Sequence, residues 1–328
     1  MNFPSSTGRR AGILVVSVFA FALQCTAASA ASILFVGNSF TYGDPAGAAP
    51  PTVQAYRPGT VTDLNGTGIG GVPALFKAFT LQAGLDYDVS LETQGGSGLD
   101  FHWNNRRSLI DQPWDHVVLQ SYSTLDVTDP GNPAKLIEYS ALFADLLTAR
   151  NPDVDISLMA TWSRADQTYR PTGAWYGQPI SAMYQDVQAG YEAAKANSPE
   201  IDRVITVGGA WNRAMETGFA DPNPYDGIAP GQVSLWAPDN YHASVFGYYL
   251  EALMVFGSIT GLDPLSLGLE EYVAADLGIT PEQALALQRI AHDQLAVPVP
   301  EPSALLLLAP ALLALVWSRR RGSPALAA

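Results

Sequence analysis

The chain has 328 residues, 48% of them apolar, which is enough for a sizeable buried core and leaves one large domain or two small ones as the choices. Its 31 Asp and Glu against 17 Lys and Arg give a net charge of −14, and Arg9, Arg10, Arg319, Arg320 and Arg321 lie in terminal segments, so the body is more acidic still. Such a surface repels phosphate backbones and anionic lipid, which argues against nucleic-acid binding and peripheral membrane docking.

Residues 1–30 have the build of a secretory signal: Arg9-Arg10, an apolar stretch over 11–23, and Ala28-Ser29-Ala30 as a small-x-small cleavage site. The alternative is an uncleaved anchor, for which the run is short. Cys25 is the only cysteine, and Gln24 before it fits a lipoprotein signal poorly. Cleavage after Ala30 would leave a mature protein without disulfide, thiol nucleophile or thiolate metal site.

From residue 31 to 295 apolar runs alternate with amphipathic stretches, the pattern of an α/β protein whose parallel sheet is covered on both faces. Strands are expected at 32–36, 87–92, 116–120, 155–160 and 203–207, and helices at 73–83, 135–149, 180–196, 243–256 and 281–295. The intervening segment 43–71, rich in Pro and Gly, reads as a long loop of the kind that is often functional or mobile.

Two short segments carry the chemistry. Ile33-Leu34-Phe35-Val36 runs into Gly37-Asn38-Ser39, which sets a hydroxyl at the carboxyl end of a buried strand, where open α/β sheets hold ligands. Two hundred residues later Asp239-Asn240-Tyr241-His242 supplies a carboxylate and a base three residues apart. A serine hydroxyl is a weak nucleophile until a base takes its proton and a third group orients that base. Each segment also has a plainer reading: Ser39 as a helix N-cap after a Gly-Asn turn, and Asp239 to His242 as the cap of the following helix.

With these blocks in this order the chain resembles the SGNH, or GDSL-type, hydrolases over residues 32–257. The resemblance implies a flavodoxin-like three-layer α/β/α sandwich with a central parallel sheet of about five strands, and hydrolysis of acyl esters on lipids or acetylated carbohydrates. By the match, Ser39 is the nucleophile, His242 the general base and Asp239 the residue that fixes the imidazole tautomer. The family's oxyanion donors are the serine N–H, a glycine N–H after the second strand and an Asn amide after the third. Gly95-Gly96-Ser97-Gly98 offers Gly96 for the second, unless these glycines merely make the turn. The third block is altered: Leu119-Gln120-Ser121 stands where Gly-x-Asn-Asp belongs, and Gln120 either lends its amide to the oxyanion or simply holds the turn.

Other features are weaker. Gly66-Thr67-Gly68-Ile69-Gly70-Gly71 satisfies a dinucleotide pattern but follows a poor strand, and Asp63 to Gly68 resembles a calcium loop with Ala74 where a Glu is needed, so neither cofactor nor metal is expected. His102, His116 and His292 show no metal-ligand spacing. His116 opens a strand and reads as structural. His102, beside the glycine turn, and Trp162, Arg164 and Trp211, each just after a strand, form a possible substrate rim able to stack on sugar rings or hold an anion; packing is the plainer reading of the aromatics.

Residues 296–328 mirror the N-terminus: Pro300-Glu301-Pro302, an apolar run over 304–317 and three arginines. At about 1.5 Å per residue that run falls somewhat short of the roughly 30 Å hydrocarbon core, and the arginines would stay cytoplasmic. The tail resembles the PEP-CTERM sorting signal of Gram-negative bacteria. It implies signal peptidase and an exosortase-like enzyme as processing partners, and delivery to the envelope, outer surface or extracellular matrix with the membrane segment kept or removed. A plain single-pass anchor is the alternative. The sequence reading is therefore an exported serine esterase acting on acyl esters, with acetylated polysaccharide as first choice of substrate; the competing reading is a non-catalytic glycan-binding or matrix protein that retains the fold.

Overall fold

Four consecutive apolar residues, Ile33-Leu34-Phe35-Val36, can all be buried only if both faces of their strand are covered. In the computed structural model, which describes residues 30–296, none of the four is exposed. The expected leader and the expected sorting tail lie outside the described residues.

The strand β1 (Ala31–Gly37) is followed by a one-turn helix α1 (Ser39–Tyr42), the two-residue strand β2 (Thr62–Asp63) and the helix α2 (Gly71–Gln82). Next come β3 (Tyr87–Thr93) with α3 (Leu99–Asn105) and α4 (Arg107–Ile110), then β4 (His116–Leu119) with α5 (Ala134–Arg150). β5 (Asp155–Ala160) leads to α6 (Ala165–Tyr169) and α7 (Ser181–Asn197), and β6 (Arg203–Thr206) passes directly into α8 (Val207–Glu216). Further along come α9 (Val245–Thr260), α10 (Tyr272–Asp276) and α11 (Pro281–Leu295). α11 starts where its sequence says it should: Thr280 and Gln283 exchange side-chain to backbone hydrogen bonds in a capping box, and Pro281 takes the first helical position.

All pairings are parallel, in the order β2-β3-β1-β4-β5-β6. The sheet has six strands, one more than expected, because Thr62 and Asp63 pair with Ser90 and Leu91 at its edge. Two residues inside a Gly-rich loop carry no alternation by which to recognise a strand. Side chains alternate across the sheet as strand geometry requires. Ile33 and Phe35 join the core under α2, α8, α9 and α11, whereas Leu34 and Val36 join the core under α5 and α7. Full burial of each such side chain is worth about 1.5–3 kcal/mol.

β1 sits in the middle with β3 on one side and β4 on the other, so the order of strands reverses there. The crevice outside the carboxyl ends of β1 and β4 is the position where open α/β sheets hold ligands. Among the described residues no helix is long and apolar enough to cross a membrane.

Candidate active site

β1 ends at Gly37 and the chain turns at once into α1. A Cβ on Gly37 would collide with Thr41 Oγ1 and lie 2.7 Å from Gln120 Oε1, so glycine is what lets the turn close. Asn38 caps α1, its Oδ1 accepting from Phe40 N at 3.1 Å. Its Nδ2 donates to Ser97 O at 2.8 Å and to Ser121 O at 3.1 Å, carbonyls of the turns after β3 and β4. One buried amide thus ties three strand ends together. A carboxylate could make neither donation, which is the physical reason for Asn between Gly37 and Ser39.

Ser39 is the first residue of α1 and is 4% exposed. Neither its N–H nor its Oγ is engaged by a protein partner among the described residues. Its carbonyl accepts from Tyr248 Oη at 3.2 Å, which fixes the turn against α9.

The second segment is ordered by its own aspartate. Asp239 Oδ1 accepts from the N–H groups of Tyr241 and His242, both at 3.0 Å, and Asp239 Oδ2 lies 2.6 Å from His242 Nδ1. Asn240 takes the left-handed conformation (φ 58°) needed for so tight a turn, a region Asn tolerates better than most residues. Burial opposes ionisation of Asp239, but the hydrogen bonds from the His242 ring and from the two N–H groups outweigh it and hold the carboxyl below its usual range. With Nδ1 donating to this carboxylate, Nε2 carries the lone pair of the neutral ring.

Aromatic packing brings the two segments together. Phe40 lies 5.4 Å from the Tyr241 ring and 5.8 Å from the His242 ring. Beneath them Trp162 packs 4.2 Å from Phe40 and donates from Nε1 to Tyr241 O at 3.3 Å. Trp162 in turn stacks on Trp211 at 4.4 Å with an interplanar angle of 1°. Ser39 Oγ and His242 are not hydrogen-bonded in this arrangement; in unliganded sites such bonds are often long and tighten with substrate.

Gly96 stands in the turn after β3 with φ 69°, a conformation that favours glycine. Its N–H meets no acceptor among the described residues, and Gly96 lines the cavity described below. Gln120 behaves otherwise. It is fully buried, its Oε1 accepts from Asn38 N (2.9 Å) and Thr41 Oγ1 (3.1 Å), and its Nε2 is turned to Ser121 O. The expectation that Gln120 lends its amide to an oxyanion is corrected: the side chain is buried, its oxygen and its Nε2 bond to protein groups, and the residue holds the Ser39 turn from below.

The expected rim also needs correction. Trp162 and His102 are 0% exposed and Trp211 is 1% exposed, so none of the three can meet a substrate at the surface. Trp211 is inside because β6 gives no loop: α8 starts at Val207 and turns Trp211 into the core. His102 lies under the glycine turn, bonded to Ser97 and Glu92. His116, at the start of β4, is half-buried, and burial pushes its pKa down.

Arg164 alone of that group reaches a cavity, of about 480 Å³, whose lining includes Asn38, Gly96, Tyr122, Ser123 and Tyr241. Asn38 and Tyr241 of that lining adjoin Ser39 and His242 in sequence, and neither Ser39 nor His242 is itself in the lining, so the cavity lies beside the serine. The guanidinium lies 3.6 Å from the Tyr241 ring centroid and makes a bidentate pair with Asp166 (3.0 and 2.6 Å), which leaves the wall polar but nearly neutral. Sequence reasoning missed Asn38 as a cross-link, the Tyr122 and Tyr241 walls, and the Glu92–His102–Ser97 chain. For Asn38 the only signal was its departure from Gly-Asp-Ser.

The Gly66 to Gly71 segment is organised by Asp63, whose carboxylate accepts from the N–H groups of Asn65, Thr67 and Ile69 and from Thr67 Oγ1. Those oxygens serve the loop itself. No cluster of metal-ligating side chains occurs among the described residues.

Fold and geometry together define a parallel α/β sandwich with a polar cavity at the strand carboxyl ends, beside a serine turn and an aspartate-held histidine. No protein-family model and no curated protein matches the chain. Among solved structures it is similar to a DUF4886 family protein from Bacteroides uniformis, at 18% identity and TM-score 0.54 over 82% of this chain and 96% of that one, a likeness of fold. Lower similarities, over 70% of this chain, are to a putative SGNH hydrolase from Slackia heliotrinireducens (20% identity, 99% of that chain, TM-score 0.45) and the psychrotrophic esterase EstA from Pseudoalteromonas sp. (11%, 97%, 0.44).

Proposed function

We propose that the protein is a serine esterase acting on acyl, preferentially acetyl, esters. The observation that carries this reading is the Asp239–His242 pair at 2.6 Å, which orients an imidazole with its free nitrogen available, in a loop packed through Phe40 against the turn of Ser39. In the mechanism His242 Nε2 takes the proton of Ser39 Oγ as that oxygen bonds to the acyl carbonyl carbon. The carbonyl oxygen becomes an oxyanion, held by the N–H groups of Ser39 and Gly96. Collapse of this intermediate breaks the bond to the alcohol oxygen, which leaves with the proton from His242. Water then attacks the acyl-enzyme by the same route, releasing the carboxylic acid and restoring Ser39.

The cavity supports a polar alcohol portion. Arg164, Gln167, Thr172, Ser123 and Thr124 offer donors and acceptors in a lining that also includes Tyr122 and Tyr241, a polar surface suited to a polyhydroxylated chain such as acetylated polysaccharide. Export by the leader and routing by the Pro-Glu-Pro tail to the envelope or exterior belong to the same proposal, and fractionation of cells expressing the chain with and without residues 296–328 tests them.

The test of activity is hydrolysis of p-nitrophenyl acetate beside Ser39→Ala and His242→Ala. The parent should turn over and be labelled by a fluorophosphonate at Ser39, and both variants should lose turnover. A parent no faster than the variants on acetate and longer acyl esters, with no labelling, overturns the esterase reading in favour of a glycan-binding or matrix role.

A further inference from the structure

Under the glycine turn lies a second serine–histidine–acid chain. Ser97 Oγ is 2.9 Å from His102 Nε2, and His102 Nδ1 makes a close contact with Glu92 Oε2. Ser97 is 5% exposed, and His102 and Glu92 are 0% exposed. Burying a carboxylate and an imidazole costs several kcal/mol unless each is well paired, so the arrangement calls for an explanation.

It does not have the hydrogen bonding of a nucleophile. Ser97 Oγ donates to Gln94 O at 2.8 Å, and a hydroxyl has one hydrogen to give. Toward His102 it must therefore accept, so a hydrogen lies on the His102 side of that contact and another lies between His102 and Glu92. A serine that receives a hydrogen bond from its histidine cannot deliver its own proton to it. Arg106 Nε stands 3.9 Å from Glu92 Oε1, which has no hydrogen-bond partner among the described residues.

What the chain holds is a backbone. Ser97 is clamped at its hydroxyl by His102 and Gln94 O, and at its carbonyl by Asn38 Nδ2. The residue immediately before it is Gly96, which lines the cavity at φ 69° and whose N–H meets no acceptor among the described residues. A glycine in an exposed turn is otherwise the most freely rotating residue available. We propose that Glu92, His102 and Ser97 are positioning residues that lock the Gly96 N–H as an oxyanion donor. Asn38 closes the lock by joining that turn to the turn of Ser39. The proposal rests on the esterase reading and extends it to three residues that touch no substrate.

The experiment compares the full chain with Ser97→Ala, Ser97→Thr and His102→Leu, reading kcat and KM on p-nitrophenyl acetate, inhibition by an alkyl boronic acid, and Tm. A boronic acid adds to the serine and presents a tetrahedral oxygen to the oxyanion donors, so its affinity reports their alignment. Ser97→Ala and His102→Leu should lower kcat by roughly 10- to 100-fold with KM within about threefold, and weaken boronic-acid inhibition in step. Ser97→Thr, which keeps the hydroxyl, should restore most of both. Equal boronic-acid inhibition in parent and Ser97→Ala, or activity lost only in proportion to unfolded protein, overturns the positioning role while leaving the esterase reading intact. A parent with no turnover on acetate or longer acyl esters and no fluorophosphonate labelling overturns both.

Discussion

Asn38 Nδ2 donates to Ser97 O at 2.8 Å across 59 residues of sequence, and this bond couples the turn that presents Ser39 to the turn that presents Gly96. In the proposed esterase these turns would carry the nucleophile and an oxyanion donor, which act together only at a fixed separation, because small displacements of reacting groups are costly. The bond supplies that separation without contacting substrate through the donated hydrogens.

Asn38→Asp therefore tests the coupling directly. The replacement would set a carboxylate oxygen against both Ser97 O and Ser121 O in place of two donated hydrogens. An unsatisfied buried polar group costs about 1–3 kcal/mol. The expected result is a lower Tm together with at least a roughly tenfold loss of ester turnover, read by thermal denaturation and p-nitrophenyl acetate hydrolysis. Retention of both parent values would contradict the role given to Asn38.

Asp239→Asn should leave the fold in place and lower kcat by roughly 10³- to 10⁴-fold, because the amide no longer fixes the productive tautomer of His242. The same residue gives a signed pH effect. Its folded-state pKa is depressed, so its stabilising contribution is present above the unfolded value of about 3.9 and is lost as pH falls through the folded value. The Tm difference between parent and variant should accordingly be seen at pH 7 and shrink below about pH 4.

Arg164→Ala separates substrate binding from chemistry. The guanidinium lines the cavity and stacks on Tyr241 but lies outside the proton path. On an acetylated oligosaccharide KM should rise roughly tenfold, about 1.4 kcal/mol of binding, whereas kcat on p-nitrophenyl acetate should change little. A uniform fall in kcat on both substrates would instead place Arg164 in the chemistry.

Glu251 lies in the middle of α9, fully buried, with neither carboxyl oxygen hydrogen-bonded among the described residues. Burial pushes its pKa well above the ordinary value, so folding disfavours its ionisation. Because the folded value is the higher one, this group's effect on stability is most favourable below the unfolded value of about 4.3. Stability is then lost with rising pH, by about 1.4 kcal/mol per unit, until the folded carboxyl ionises. Glu251→Met, similar in size and uncharged, should flatten that decline and raise Tm near pH 7. Urea denaturation of both proteins across pH 4 to 8 measures it.

The strands and long helices were legible because their signal is local. Ile33 to Val36 and Pro281 to Leu295 carry their own periodicity and caps, and no distant residue is needed to recognise them. The Asp239–His242 pair was legible for the same reason, since three residues of one turn bring carboxylate and ring into contact. β2 was not, being two residues long with its only partner strand almost thirty residues away.

Side-chain destinations followed a different rule. Whether Trp162 and Trp211 face a substrate or each other depends on β6 passing into α8 without a loop, and so on an adjacency between residues 49 positions apart. The amide of Gln120 could serve an oxyanion or a turn, and it was the absence of a side chain at Gly37 that drew it beneath Asn38. By itself the sequence determined the parallel α/β architecture and the residue types from which a nucleophile, a base and its orienting acid could be drawn, because periodicity and near-neighbour spacing are properties of the chain. Only the tertiary structure decided which polar groups remain free for a substrate, because a hydrogen-bond donor is available or spent according to which distant acceptor packing brings within 3 Å of it.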